Sequence, residues 1–98
     1  MLKGLLLSML PRQRRFERIY RHNLWGSRES VSGYGSTLAA TESVRSRLPS
    51  LISELEVKTI LDAPCGDFHW MQHVMAQRPQ VRYTGLVIVP ALIAKNQV

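Results

Sequence analysis

The sequence predicts an α/β fold in which N-terminal helices precede a βαβα unit. The main observation is the stretch Thr59–Trp70, TILDAPCGDFHW, where an apolar run ends in an acid and turns sharply before a helix begins. A second apolar run, Val81–Val89, is typical of a buried parallel strand. With 45% apolar and 20% charged residues in 98, the composition is that of one small globular domain.

The N-terminal third carries most of the positive charge. The formal net charge is +6, and residues 1–36 contain seven basic and two acidic residues, which leaves +5 there. A basic amphipathic helix is predicted after Pro11. Its apolar positions recur at helical spacing: Phe16, Ile19, Tyr20 and Leu24. The segment Arg12–Arg21 is interpreted as a solvated surface helix, with nucleic acid or an anionic membrane surface as the alternative partner.

Residues 25–37, WGSRESVSGYGST, are predicted to form a loop because Gly and Ser are frequent. Two glycines flank Tyr34, so the loop either simply links two helices or closes over a ligand. Ser36 or Thr37 is expected to cap the next helix. Because Pro49 interrupts its apolar stripe, we expect either one kinked helix or two short ones.

The βαβα unit is predicted from four segments in order. Val57–Ala63 is the first strand, Asp67–Gln77 a helix capped by Asp67, Val81–Val89 the second strand and Ala91–Gln97 the last helix. The two strands should be parallel neighbours covered by helices on both faces. The loop after the first strand would then lie at the carboxyl edge of the sheet, where ligands bind.

The turn after the first strand is the candidate site. Asp62 would accept hydrogen bonds from a ligand, Gly66 would allow close backbone approach, and the amides beginning the Asp67 helix would favour an anionic group. Pro64 and Phe68 occupy two of the three glycine positions of a dinucleotide fingerprint, which favours a ligand without a pyrophosphate.

The single cysteine, Cys65, fits a reducing compartment, and we expect a following helix N-terminus to raise its reactivity. If helical, Cys65, His69 and His73 share one face, and with Asp67 nearby they could hold a metal ion. The segment HWMQH lacks the glutamate of a zinc-hydrolase motif, so histidines on a polar helix face are the favoured interpretation.

No apolar run reaches the ~18 to 20 residues that a membrane span needs, so a cytoplasmic protein without a transmembrane segment is expected. The run Leu2–Leu10 is interpreted as the start of a buried helix, with an organellar transit peptide as the alternative.

The segments ILDAPCGDFHWM and YTGLVIVPALIAKNQ resemble motif I and the second-strand motif of class I S-adenosylmethionine-dependent methyltransferases. The resemblance is greatest to a group that reads LDAPCGD-F-W-M and Y-x-G-x-D-I-V-P-x-L-I after a W-G-S-x-E-S-V-S-G-x-G-S-T loop. It extends from about Trp25 to the C-terminus. Charge and apolar spacing divide the chain into a basic helical segment with a Gly/Ser loop, residues 1–36, and residues 37–98, which the resemblance implies to be a partial Rossmann-like cofactor-binding domain.

The resemblance also implies S-adenosylmethionine as the cofactor. Asp62 would correspond to the motif I acid, the next four residues to the loop around the cofactor's amino-acid end, and Asp67 to a residue lining the same pocket. The implied cofactor-binding residues are Asp62, Ala63, Pro64, Cys65, Gly66, Asp67, Val87 and Ile88. Where the family carries an acid that binds the ribose hydroxyls, this chain has Val87. Leaving such hydroxyls unpaired costs on the order of 1 to 3 kcal/mol each, so weak binding is expected.

A complete methyltransferase of this class has further strands, and we therefore expect a fragment or degenerate copy with weak or no turnover alone. An incomplete sheet would expose a strand edge and favour self-association. The alternative function is a basic module that binds nucleic acid or another partner through Arg12–Arg21 without catalysis; a Cys/His metal site is the third.

Overall fold

The computed structural model describes residues 11–96, which form four α-helices and a two-stranded parallel sheet. The elements are α1 (Arg12–Arg21), a 3₁₀ turn (Tyr34–Ser36), α2 (Glu42–Glu54), β1 (Thr59–Asp62), α3 (Met71–Ala76), β2 (Arg82–Gly85) and α4 (Pro90–Asn96). This order confirms the α/β class. The segment Leu2–Leu10 lies outside the described residues. No helix within 11–96 combines the length and apolar character that a membrane crossing requires.

The two strands pair in parallel with α3 between them in sequence. Thr59 lies opposite Arg82, and Asp62 lies opposite Gly85. Both strands are shorter than predicted. The Leu86 amide donates to the Asp62 carbonyl as the last regular bond of the ladder, and the Leu86 carbonyl then accepts from the Cys65 amide, because Pro64 has no N–H to donate. The ladder ends there, so residues 86–89 lie beside the turn that follows β1 and do not extend β2.

The core lies on one face of the sheet. Its buried side chains come from α2, α3 and the residue before β2: Ile52, Met71, Val74 and Val81. Ile60 and Tyr83 pack against this cluster from the sheet. The opposite face is open, since Leu61 is 67% exposed. The prediction that both faces are covered is therefore wrong for the described part of the chain.

α2 is one continuous helix with Pro49 in its interior, which decides between the two predicted arrangements. Thr37 Oγ1 accepts from the Ala40 amide at 3.2 Å, so Thr37 caps the turn that leads into α2, and the helix itself begins at Glu42. The apolar stripe that Pro49 interrupts was predicted to continue through Leu51, Ile52 and Leu55, and it is only partly buried. Ile52 lies in the core, whereas Leu55 is 66% exposed.

α1 confirms the predicted amphipathic helix but ends at Arg21, before the predicted apolar position Leu24. Ile19 is buried, and the Phe16 and Tyr20 rings meet Trp25 edge-on at centroid distances of 6.3 and 5.5 Å. The apolar face of α1 is therefore occupied by the loop that follows it.

Candidate functional site

The turn between β1 and α3 is not the start of a helix. α3 begins at Met71, four residues later than predicted, and Asp67 does not cap it. Gly66 and Phe68 have φ angles of +57° and +59°, which lie in the left-handed region and cannot continue into a right-handed helix. The amides expected to favour an anionic group thus do not belong to a helix N-terminus at Asp67.

Asp67 instead joins the turn to residues 27–32, here called the serine loop. Its Oδ2 accepts from Ser30 Oγ at 2.7 Å, and its Oδ1 accepts from the His69 amide at 3.2 Å. The Asp67 amide donates to Ser32 Oγ at 3.0 Å. Ser27 supports the loop from within, since its Oγ accepts from the Ser30 amide.

The serine loop therefore closes over the turn of its own chain. Ser27 and Ser30 are 2% and 1% exposed, so these hydroxyls are interior groups. Sequence reasoning did not single out the serines. The available signal was their S-x-x-S-x-S spacing in a loop that also carries the methyltransferase resemblance.

Gly66 is buried where the serine loop and the turn meet. A Cβ at this position would fall far inside contact distance of Ser32 Oγ and would lie 3.7 Å from the Tyr20 hydroxyl oxygen. The Gly66 carbonyl accepts from Asn96 Nδ2 at 3.0 Å, which ties α4 to the turn. The missing side chain makes room for the serine loop, and the Gly66 backbone is not the open approach surface that the sequence predicted.

Asp62 is held by Tyr83. The Tyr83 hydroxyl donates to Asp62 Oδ2 at 2.7 Å. The strand register explains this contact, because Tyr83 lies opposite Ile60 and Asp62 is the next residue on that face. Burial, and then the Asp62 carboxylate, raise the pKa of the Tyr83 phenol far above its ordinary value. The hydroxyl therefore keeps its proton, and Asp62 retains lone pairs for a further donor.

Cys65 is half-buried, and the expectation of a reactive thiol is wrong. Burial, followed by the nearby Asp62 charge, raises the pKa of the Cys65 thiol above its ordinary 9.0. The predicted helix N-terminus is absent at this point of the chain. The thiol instead packs against β2, where a Cβ on Gly85 would lie 2.9 Å from Cys65 Sγ.

His69 pairs with the serine loop. Its Nε2 lies 2.7 Å from Glu29 Oε2, and the same oxygen accepts from the Leu38 amide. The Leu38 hydrogen bond, and then that of His69, lower the pKa of the Glu29 carboxyl. The metal hypothesis assumed one helix through Cys65 and His73, which the structure does not contain. Within residues 11–96 no three His, Cys, Asp or Glu side chains are grouped to hold a metal ion.

Two clefts adjoin the turn. One, of about 300 Å³, lies beside Cys65, Tyr83 and Asn96. The other is an open cleft of about 550 Å³ at the carboxyl edge of the sheet, here called the edge cleft. Its walls are Ala63, Pro64, Gly85, Leu86, Val87, Ile88 and Ile93.

The edge cleft brings together four of the eight predicted cofactor residues: Ala63, Pro64, Val87 and Ile88. Cys65 faces the smaller cleft. Asp62, Gly66 and Asp67 contribute to neither wall and instead hold the turn in place. Every side chain of the edge cleft is apolar, so polar recognition there falls to the backbone.

Comparisons with protein-family models, with curated proteins and with solved structures find no match for this chain.

Proposed function

We propose that the edge cleft binds S-adenosylmethionine and that this chain supplies the motif I part of a Rossmann-like methyltransferase. One observation carries the proposal. Two residues of the turn, Ala63 and Pro64, meet two residues beyond β2, Val87 and Ile88, in one open cleft. All four are positions that the sequence resemblance assigns to the cofactor. Open α/β sheets bind ligands outside the carboxyl ends of their strands, which is where this cleft lies.

The edge cleft fits part of the cofactor. Its volume of about 550 Å³ is within the range of ordinary small-molecule pockets. Its apolar walls suit the faces of an adenine ring and the aliphatic part of a methionine. When bound, the cofactor supplies a methyl group on a sulfonium centre. The residues of the cleft can bind this group and orient it. None of their side chains carries a base, and no catalytic residue is assigned.

Val87 sets the strength of this site. It faces the cleft at the position where the enzymes that the sequence resembles carry an acid for the ribose hydroxyls, and a valine side chain accepts no hydrogen bond. Two hydroxyls left without partners cost on the order of 1 to 3 kcal/mol each, which amounts to roughly tenfold to a hundredfold in affinity apiece. The unmodified chain is therefore expected to bind the cofactor weakly.

The test is calorimetric titration of the full chain with S-adenosylhomocysteine before and after Val87→Asp. We expect the substitution to tighten binding by about tenfold or more, because the new carboxylate can accept the ribose hydroxyls. Val44→Asp is the matched control. It makes the same substitution on an exposed residue of α2, away from the edge cleft.

Two results would count against the proposal in different ways. Tight binding by the unmodified chain, with Kd below about 1 μM, would refute the weak-site claim and leave cofactor binding standing. Absence of binding in the unmodified chain and in Val87→Asp alike would refute cofactor binding itself. Amide chemical shift changes confined to Ala63, Cys65, Gly66 and residues 85–88 would support a bound ligand in the edge cleft.

A further inference from the structure

α1 presents arginines that the described acidic residues do not neutralise. Its exposed basic residues are Arg12, Arg14, Arg18 and Arg21. The acid of this helix, Glu17, accepts from Gln13 Nε2 at 3.1 Å. Within residues 11–96 the side-chain ion pair that forms is His69 with Glu29, far from α1 in sequence. The guanidinium groups of α1 are thus available to an anionic partner.

Three of the arginines, Arg14, Arg18 and Arg21, form one row, here called the arginine stripe. At 100° per residue they fall within about 60° of one another around the helix, and they span about 10 Å along its axis. Phe16, whose ring contacts Trp25, lies on the opposite side of the helix. The arginine stripe therefore faces away from the loop that follows α1.

α1 has no free apolar face with which to enter a membrane surface. A helix in that position buries an apolar face among the lipids. In this chain Ile19 is buried by the protein itself, and the Phe16 and Tyr20 rings contact Trp25. The covered face disfavours a bilayer as the anionic partner.

The arginine stripe also lacks a ring on which a base could stack. Proteins bind single strands by combining positive charge with aromatic side chains that stack on the bases. The aromatic residues of α1, Phe16 and Tyr20, are turned toward Trp25 and away from the stripe. The bases of a double helix stack on one another, and its phosphates alone supply much of its affinity for basic proteins. The stripe therefore suits a duplex better than a single strand.

The length and the chemistry of the arginine stripe match a run of phosphates. Each strand of a duplex carries one phosphate per ~3.4 Å of helix axis, so the ~10 Å of the stripe corresponds to about three phosphates. All basic residues of α1 are arginines, whose planar fork matches phosphate oxygens two at a time. The three guanidinium groups can thus neutralise neighbouring phosphates of one strand.

We infer that the arginine stripe binds the phosphate backbone of double-stranded nucleic acid. DNA and RNA duplexes share this chemistry, since both present phosphates at regular spacing along two paired strands. The inference does not depend on the edge cleft or on the cofactor, and either can fail without the other.

The first test measures binding of the full chain to a labelled duplex of about 20 base pairs, which is two helical turns. Arg14→Gln, Arg18→Gln and Arg21→Gln are combined in one variant, and glutamine has nearly the helix propensity of arginine. The control combines Arg47→Gln, Lys58→Gln and Arg82→Gln, which are exposed on α2, before β1 and on β2. Both variants lower the formal net charge from +6 by three.

We expect the glutamine variant of the stripe to lose at least about tenfold in affinity at moderate salt. Its slope of log K against log salt should be shallower by about 2 to 3, because each phosphate contact to B-DNA accounts for about 0.9. The control should change far less in both quantities. Equal losses in the two variants would mean that net charge alone drives binding, and the assignment to the stripe would be wrong.

A second variant separates the loss of phosphate contacts from a loss of structure. Arg14→Lys, Arg18→Lys and Arg21→Lys together keep the three charges and remove the planar fork. Because lysine also neutralises a phosphate, we expect the salt slope to stay within about 1 of that of the unmodified chain. A lysine variant with affinity and slope as low as those of the glutamine variant would contradict phosphate neutralisation as the cause.

The kind of partner is tested with five probes: a DNA duplex, an RNA duplex, a single strand, polyglutamate, and vesicles rich in phosphatidylserine. Salt-dependent binding to either duplex supports the inference, and the duplex that binds more tightly identifies the kind of double helix. Failure of both duplexes to bind would overturn it. A single strand, polyglutamate or vesicles bound as tightly as the better duplex would overturn the assignment to double-stranded nucleic acid.

Discussion

Gly66 lies where the serine loop contacts the turn after β1. Its left-handed backbone conformation and its close contacts disfavour any residue with a side chain. We predict that Gly66→Ala lowers the free energy of unfolding by about 3 kcal/mol, because a left-handed backbone costs a side chain about 1 to 2 kcal/mol and overpacking adds a similar amount. The Cβ would press on Ser32 Oγ. Denaturant unfolding followed by circular dichroism measures the change.

Gly35→Ala is the control for this substitution, since a Cβ there would meet no atom within 4 Å. Its effect should stay within about 0.5 kcal/mol. A second measurement uses Ser32→Ala, which should cost less in the Gly66→Ala background than in the unmodified chain because it relieves the contact. Strictly additive effects of the two substitutions would contradict this account of the glycine.

At this scale the sequence predicted the position of the turn but not its shape. The stop at Pro64 and the glycine at position 66 are local signals, and they mark the turn correctly. The left-handed conformation of Phe68 is not a local preference for an aromatic residue. This conformation occurs together with contacts to residues distant in sequence. The centroid of the Phe68 ring lies 4.9 Å from that of Tyr83, and the neighbouring Asp67 accepts a hydrogen bond from Ser30.

At the scale of whole elements, Glu29 connects the serine loop to the segment before α3 through His69. Because folding lowers the pKa of the Glu29 carboxyl, the charged form is favoured in the folded state. The stabilisation is therefore fully present above the ordinary pKa of 4.5 and is lost as the pH falls through the lowered folded value.

We predict that Glu29→Gln removes this pH-dependent contribution. The difference in denaturation midpoint between the unmodified chain and the variant should be fully present above about pH 4.5 and should shrink as the solution is acidified below it. Glu54→Gln, on an exposed residue of α2, is the control. A difference for Glu29→Gln that stays constant down to about pH 3 would argue against the contact.

The existence and order of the helices and strands were predictable because apolar spacing and breaker residues are local properties. The residues at which the helices and strands begin and end were less predictable. β2 stops at Gly85 because Pro64 has no N–H with which to continue the ladder from β1, and the Leu86 carbonyl exchanges that missing partner for the amide of Cys65, more than twenty residues away in sequence. An apolar run such as Leu86–Val89 contains no signal of that exchange, and the sequence accordingly predicted a longer strand.

At the scale of the molecule, the sheet is open on one face and has two strands within residues 11–96. An exposed apolar strand with an unpaired edge favours pairing with another copy. We predict that Leu61→Lys reduces self-association at high protein concentration, measured by sedimentation velocity. Leu61 is already 67% exposed, so the substitution should leave the fold intact.

Leu55→Lys provides the matched control for association. Leu55 is 66% exposed and follows the end of α2, away from the strands. Leu55→Lys therefore adds the same charge as Leu61→Lys and removes nearly the same exposed apolar surface. If both variants reduce association equally, charge repulsion explains the effect. If neither variant changes it, the open face of the sheet is not the contact.

The hydrogen bonds that join the serine loop to the turn also bear on the order of events during folding. They connect residues 35 to 40 positions apart, with all of α2 and β1 in between. Closing so long a segment has an entropic cost before any of these bonds can form, whereas α2 needs only contacts within itself. We therefore expect the turn to take its final shape late, and loss of the Ser30 hydroxyl to speed unfolding more than it slows folding.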